Sequence, residues 1–75
     1  MKKYYAHFEM RKYDNHTIHI MADNPADARL LLHKQIMEYK ELGFFFHSHH
    51  NFYVSFEQIQ TIQGPKETEV KSGAV

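Results

Sequence analysis

Imidazoles are the side chains here best suited to chemistry. Seven of the 75 residues are histidine, and His47, His49 and His50 fall within the run HSHH. Imidazole is the usual nitrogen ligand for zinc, nickel and copper, so the run supplies candidate metal ligands. Its spacing argues against a built site. On a strand His47 and His49 share a face while His50 points away, and no HExxH-type pattern accompanies them. His7 and His19 could meet across a hairpin near Glu9. The expectation is turn histidines in solvent, with neither metal nor cofactor. Since unperturbed imidazole titrates at about pH 6.5, the net charge must rise as pH falls.

For hydrolysis or general acid-base work, Ser48, Ser55 and His47 are the available nucleophile and base types, with Glu9, Asp14 and Glu57 as carboxylates. Nothing arranges them into a recognisable machine. There is no GxSxG nucleophile elbow, and no glycine-rich loop that could cradle a phosphate. A domain this small also leaves little room for a substrate pocket of the usual ~300–1,000 Å³. Catalysis is therefore not expected.

Charge and cysteine content narrow the class further. The chain has no cysteine, which removes disulfides and thiolate chemistry and argues against a cross-linked extracellular scaffold. Basic and acidic residues number 9 each, so bulk charge implies no polyanion partner. The charge is unevenly placed, however: residues 1–12 carry +3, residues 13–63 carry −3, and the remainder is balanced. Lys2, Lys3, Arg11 and Lys12 are thus candidate phosphate contacts, although no RNP-like run or helix-turn-helix signature supports them. Glu9, Arg11 and Lys12 interrupt any apolar stretch near the start, and no run is long enough to span a bilayer. The expectation is a cytoplasmic protein without a membrane segment.

Four strands, a helix and a short closing edge strand are needed to position these residues. Tyr4, Ala6, Phe8 and Met10 alternate with Tyr5, His7, Glu9 and Arg11, a strand pattern that resumes in HTIHIMA after the turn-forming Asp14 and Asn15. These two segments read as a β-hairpin. Next comes a complete helix signal, with Asn24 as N-cap, Pro25 in the first turn, Asp27 near the positive helix end and Gly43 as the stop. Ala28, Leu31, Leu32, Ile36, Tyr39 and Leu42 gather on its broad apolar face, with Leu30 and Met37 roughly opposite. FFFH and FYVSF read as a second hairpin about a polar turn. In EQIQTIQ the isoleucines are three apart, which predicts a turn or bulge at Glu57 and Gln58 and then a short edge strand. Residues 1–63 form the expected compact domain, and residues 64–75 a flexible tail.

The β-β-α-β-β order predicts a two-layer α+β fold, one antiparallel sheet with the amphipathic helix packed on one face. Strand parity then assigns Ala6, Phe8, Met10, Ile18, Ile20, Phe44, Phe46, Phe52, Val54 and Phe56 to the helix side. The opposite side would display Tyr5, His7, His19, Phe45, His47 and Tyr53. Such an aromatic and imidazole face has three readings: an ordinary mixed surface, a homo-oligomer interface, or a ligand or nucleic-acid surface. The function expected is a small non-catalytic protein acting through protein contacts as a homodimeric accessory or regulatory factor, with Leu30 and Met37 adding to the contact surface. The alternative is a single-stranded nucleic-acid or nucleotide-binding module, in which sheet aromatics stack on bases and the first-strand cations meet phosphates.

Overall fold

The computed structural model describes residues 1–47 and 49–68. Its elements in chain order are β1 (Lys2–Met10), β2 (His16–Ala22), α1 (Pro25–Leu42), β3 (Phe44–His47), β4 (Phe52–Ser55), a 3₁₀ turn at Phe56–Gln58, and β5 (Ile59–Glu67). The fold is α+β. All strand pairings are antiparallel, but the strands form two sheets: a three-stranded sheet in the order β2-β1-β5 and a separate β3-β4 hairpin. This corrects the expectation of a single sheet.

The first hairpin follows from alternation. Tyr4, Ala6, Phe8 and Met10 are all buried, and pairing Tyr4 with Ile20 and Lys2 with Ala22 places the apolar residues of β2 on the same face. The helix bounds follow from local chemistry. Asn24 Oδ1 accepts the backbone N–H of Asp27 at 2.8 Å, satisfying a first-turn donor that has no partner within the helix. At the other end Gly43 takes φ 86°, the left-handed region, and donates its N–H to the Tyr39 carbonyl at 2.8 Å.

β5 shows why Ile59 and Ile62 are three apart. Met10 pairs with Ile59, Glu9 with Thr61 and Phe8 with Ile62, so Gln60 is the extra residue of a bulge. The bulge turns both isoleucines toward the side of Met10 and Phe8. A second bulge sets Gly64 and Pro65 between the pairs His7–Gln63 and Tyr5–Lys66, opposite Ala6 alone.

The strand then continues to Glu67, and Thr68 donates its N–H to the Lys3 carbonyl at 2.8 Å. The expected tail beginning at Gly64 is corrected accordingly: residues 64–67 belong to the sheet. Their polarity is no obstacle, because an edge strand is held by backbone hydrogen bonds and needs no apolar side chains. Residues 69–75, the rest of that expected tail, lie outside the described residues.

The core joins both sheets to the helix. Tyr4, Ala6, Phe8 and Met10 from β1 meet Ile20 and Ala22, Ala28 and Leu32 of the helix, and Phe45 and Val54 of the second hairpin. Two imidazoles, His16 and His47, are buried with them.

Candidate functional site

Register decides what the second hairpin displays. Phe45 pairs with Val54 and His47 with Phe52, while Phe44 pairs with Ser55 and Phe46 with Tyr53. Directly opposed residues of an antiparallel pair share a face. One face therefore carries Phe45, His47 and Val54 into the molecule, with Phe52 at its margin 44% exposed and not buried against the helix as expected, and the other presents Phe44, Phe46, Tyr53 and Ser55. Phe45 is 2% and His47 0% exposed, so their assignment to the outer face is corrected. Phe44 and Phe46, expected to face the helix, are each 46% exposed, and Tyr53 is 66% exposed. The Tyr53 ring meets Phe44 edge-on at 5.5 Å and Phe46 at 5.3 Å, making a continuous aromatic ladder. A run of three phenylalanines has no alternation of its own, so only the pairing with β4 could have revealed this.

Behind the ladder lies a cluster of imidazoles. His47 Nδ1 accepts the backbone N–H of His49 at 3.1 Å and, more loosely, that of His50 at 3.4 Å. With Nδ1 an acceptor, the proton resides on Nε2, which donates to the Asp14 carbonyl at 2.6 Å. This ties the β3-β4 turn to the β1-β2 connection. The His16 ring lies 5.4 Å from that of His47 and 4.9 Å from Phe45, with Phe8 at 5.6 Å. Burial, then the neighbouring His47 and His49, pushes His16 down to about 4. Tyr13 packs edge-on against His50 and Phe52, and His50 stacks on Phe52 at 5.4 Å. His16 and Tyr13 were not anticipated as part of this cluster; an apolar residue was not needed at position 16 for the β2 pattern to be read.

As chemistry, the cluster has little reach. His47 engages both ring nitrogens within the protein and is closed to solvent. Ser55 Oγ accepts the N–H of Glu57 at 3.3 Å, capping the 3₁₀ turn. Among the described residues no group of three or more His, Cys, Asp or Glu side chains is placed to hold a metal ion. Ser48 lies outside the described residues.

The outer face of β1 and β2 does bring Tyr5, His7 and His19 together, because Tyr5 pairs with His19 and His7 with Thr17. Tyr5 and His7 are half-buried and in edge contact at 5.0 Å, and His7 Nδ1 hydrogen-bonds the Thr17 hydroxyl at 2.8 Å. The Thr61 hydroxyl donates to Glu9 on the same face. The cationic residues do not converge. Lys2 and Lys3 start β1 and Arg11 and Lys12 follow its end, a separation of about 27 Å at the usual strand rise. Lys2 lies 3.9 Å from Glu67, and Arg11 Nε donates to the Glu57 carbonyl at 3.3 Å.

On the helix, Ala28 and Leu32 are fully buried and Ile36 and Tyr39 partly so. Leu31 and Leu42, expected in that stripe, are exposed: Leu31 sits on its flank and Leu42 is the last helical residue. Leu30 and Met37 are exposed as their opposite placement requires. Leu30, Leu31, Met1 and Met21, with Asp27 and Lys34 at the rim, line an open cleft of about 350 Å³. The cleft is open to solvent and lies between the helix start and β2, and no histidine lines it.

No family model, curated protein or solved structure matches the chain. What fold and site define is thus a class by geometry: an α+β protein whose second hairpin has an aromatic outer face and an imidazole inner face. Among the described residues, no helix is long and apolar enough to cross a membrane.

Proposed function

We propose that this chain is a non-catalytic cytoplasmic protein that works through protein contacts, as a homodimeric accessory or regulatory factor. The ladder Phe44, Tyr53 and Phe46 carries the reading. At 150–250 Å² per aromatic side chain, three rings about half exposed leave roughly 300 Å² of aromatic surface in water. A stable interface buries about 800 Å² per partner. The ladder is therefore large enough to form the apolar centre of such an interface, and too small to form all of it. Leu42 and Ser55, close in sequence to its ends, would extend it. A two-fold contact suits this patch, since a second copy offers the same rings for edge-to-face packing.

The alternative, single-stranded nucleic acid or a nucleotide, could use the same rings as stacking platforms. It has less support, because the four cations nominated for phosphate stand at opposite ends of β1. Absence of cysteine argues against a disulfide-stapled extracellular scaffold, but does not identify the partner.

Light scattering across a concentration series from low to high micromolar tests the proposal. The expected result is a concentration-dependent dimer whose dissociation constant rises at least about tenfold in Tyr53→Ser and Phe46→Ser. A monomer throughout the range would overturn it. So would salt-sensitive oligonucleotide binding that is lost in the same variants while the chain remains monomeric.

A further inference from the structure

Helix α1 carries a chemical pattern that complements its own reverse. Leu30, Leu31 and Lys34 follow Asp27 by three, four and seven residues, so the four side chains form one stripe along the helix. All four are exposed, while Ala28 and Leu32 face the core. The stripe is antisymmetric about the midpoint between Leu30 and Leu31: apolar at its centre, with an acid one turn toward the start and a base one turn toward the end. Leu30, 63% exposed, and Leu31 also line the open cleft together with Met21 and Met1.

We infer that this stripe seats the same stripe of a second copy, helix against antiparallel helix, across a two-fold axis through the midpoint of Leu30 and Leu31. A two-fold contact is self-complementary, so each pairing occurs twice. Here it sets Asp27 against the partner's Lys34, Lys34 against the partner's Asp27, and Leu30 against the partner's Leu31. A parallel arrangement would instead set acid on acid and base on base, which selects against it. The apolar centre fits as well. Leu31 lies on the flank nearer the core and Leu30 on the far side, so the two-fold rotation brings the partner's Leu30 beside Leu31 and over the cleft that Met21 lines. A thioether wall adapts readily to such a side chain. Complementarity to its own reversed order is what singles out a second copy as the occupant.

The charges are open to this use. Among the described residues neither Asp27 nor Lys34 has an ion-pair partner within its own chain. Asp27 Oδ2 accepts the Asn24 amide at 3.3 Å, a long bond that leaves lone pairs for a second donor. Glu38, one turn beyond Lys34, accepts the Gln35 amide at 3.2 Å. The same axis would carry Asp23 toward the partner's Glu38, with like charge. Packed helices cross at about 20–50° and so diverge beyond the central turns, which leaves that pair at the rim in solvent. An apolar patch on the order of a few hundred Å² falls short of the roughly 800 Å² per partner of a stable interface, so this contact is weak by itself. It shares no residue with the aromatic ladder, and Gly43, where the helix gives way to β3, stands about 20 Å along the axis from Leu30 at the usual helical rise.

Light scattering of the full chain carrying Tyr53→Ser and Phe46→Ser, at concentrations up to about 1 mM, isolates this contact from the ladder. The expected result is a residual dimer whose dissociation constant rises at least about tenfold in Lys34→Asp, because two like-charged pairs then face each other. Adding Asp27→Lys to Lys34→Asp restores opposite pairing with the charges exchanged, and should return the constant to within about threefold of the parent. Leu30→Ser lies on an exposed helix face, should weaken the dimer at least about tenfold, and carries the test if Asp27→Lys frays the helix start. A monomer at every concentration would overturn the inference. So would a dimer indifferent to Leu30→Ser, or an exchanged variant that is folded by circular dichroism yet as weak as Lys34→Asp alone. Because the ladder is disabled throughout, these outcomes stand whether or not the ladder itself self-associates.

Discussion

Gly64 lies so close to Tyr5 across the β1-β5 pairing that a Cβ at position 64 would stand 2.8 Å from the Tyr5 carbonyl oxygen. It would also stand 3.1 Å from the Ala6 Cα, and both contacts are backbone that cannot swing aside. The φ of 111° independently excludes an unstrained L side chain. Gly64 thus permits the second bulge, and the bulge lets residues 66–67 pair with Tyr4 and Tyr5.

Gly64→Ala should therefore cost about 2–3 kcal/mol, the usual range for a strained backbone position with no room to relax. Urea denaturation measures it directly. Amides of residues 66–68 should lose protection first, and an unchanged midpoint would contradict the close approach.

Phe45 and Phe46 are neighbours in sequence and opposites in environment. Phe45 stacks on Tyr39 at 4.8 Å and is 2% exposed, whereas Phe46 is 46% exposed. Truncating a buried phenylalanine removes apolar burial and leaves a cavity, so Phe45→Ala should lose about 3–5 kcal/mol and Phe46→Ala under about 1. Denaturant midpoints of the two variants, taken at concentrations too low for self-association, check the contrast. Equal losses, or the reverse order, would mean that the β3-β4 register is wrong.

Stability should fall with acid through His16. Its pKa is about 4 in the folded chain against an ordinary 6.5. Between those values the unfolded chain binds a proton that the folded chain refuses, so the contribution is complete above about pH 6.5 and is lost as pH falls toward 4. A shift of this size corresponds to about 3 kcal/mol. Unfolding free energies near pH 7.5 and pH 4.5 should differ by most of that amount, and His16→Phe should remove most of the difference. A variant with the native pH slope would show that His16 is not its source.

Much of the fold was legible where the cause is local. The helix from Pro25 to Leu42 is set by an N-cap that reaches three residues forward and a glycine that closes onto a carbonyl four residues back. The strand parity of β1 was readable because its residues alternate strictly. The three-residue spacing of Ile59 and Ile62 signalled an irregularity, and a bulge at Gln60 accounts for it. Part of the candidate surface was readable too: Tyr5, His7 and His19 share a face, and Tyr53, Leu30 and Met37 are exposed.

By itself, then, the chain's order of residues determined the kinds of element, the helix ends and the inward face of β1, because these depend on side chains within a few positions of one another. The tertiary structure alone decided which partner each strand took. Pairing β5 with β1 drew residues 64–67 into the sheet, and pairing Phe45 with Val54 exchanged the faces of β3. A one-residue change of register moves every side chain of a strand to the other side. That is why Phe44 and Phe46 stand in water while His47, expected on the outer face, is enclosed beside His16.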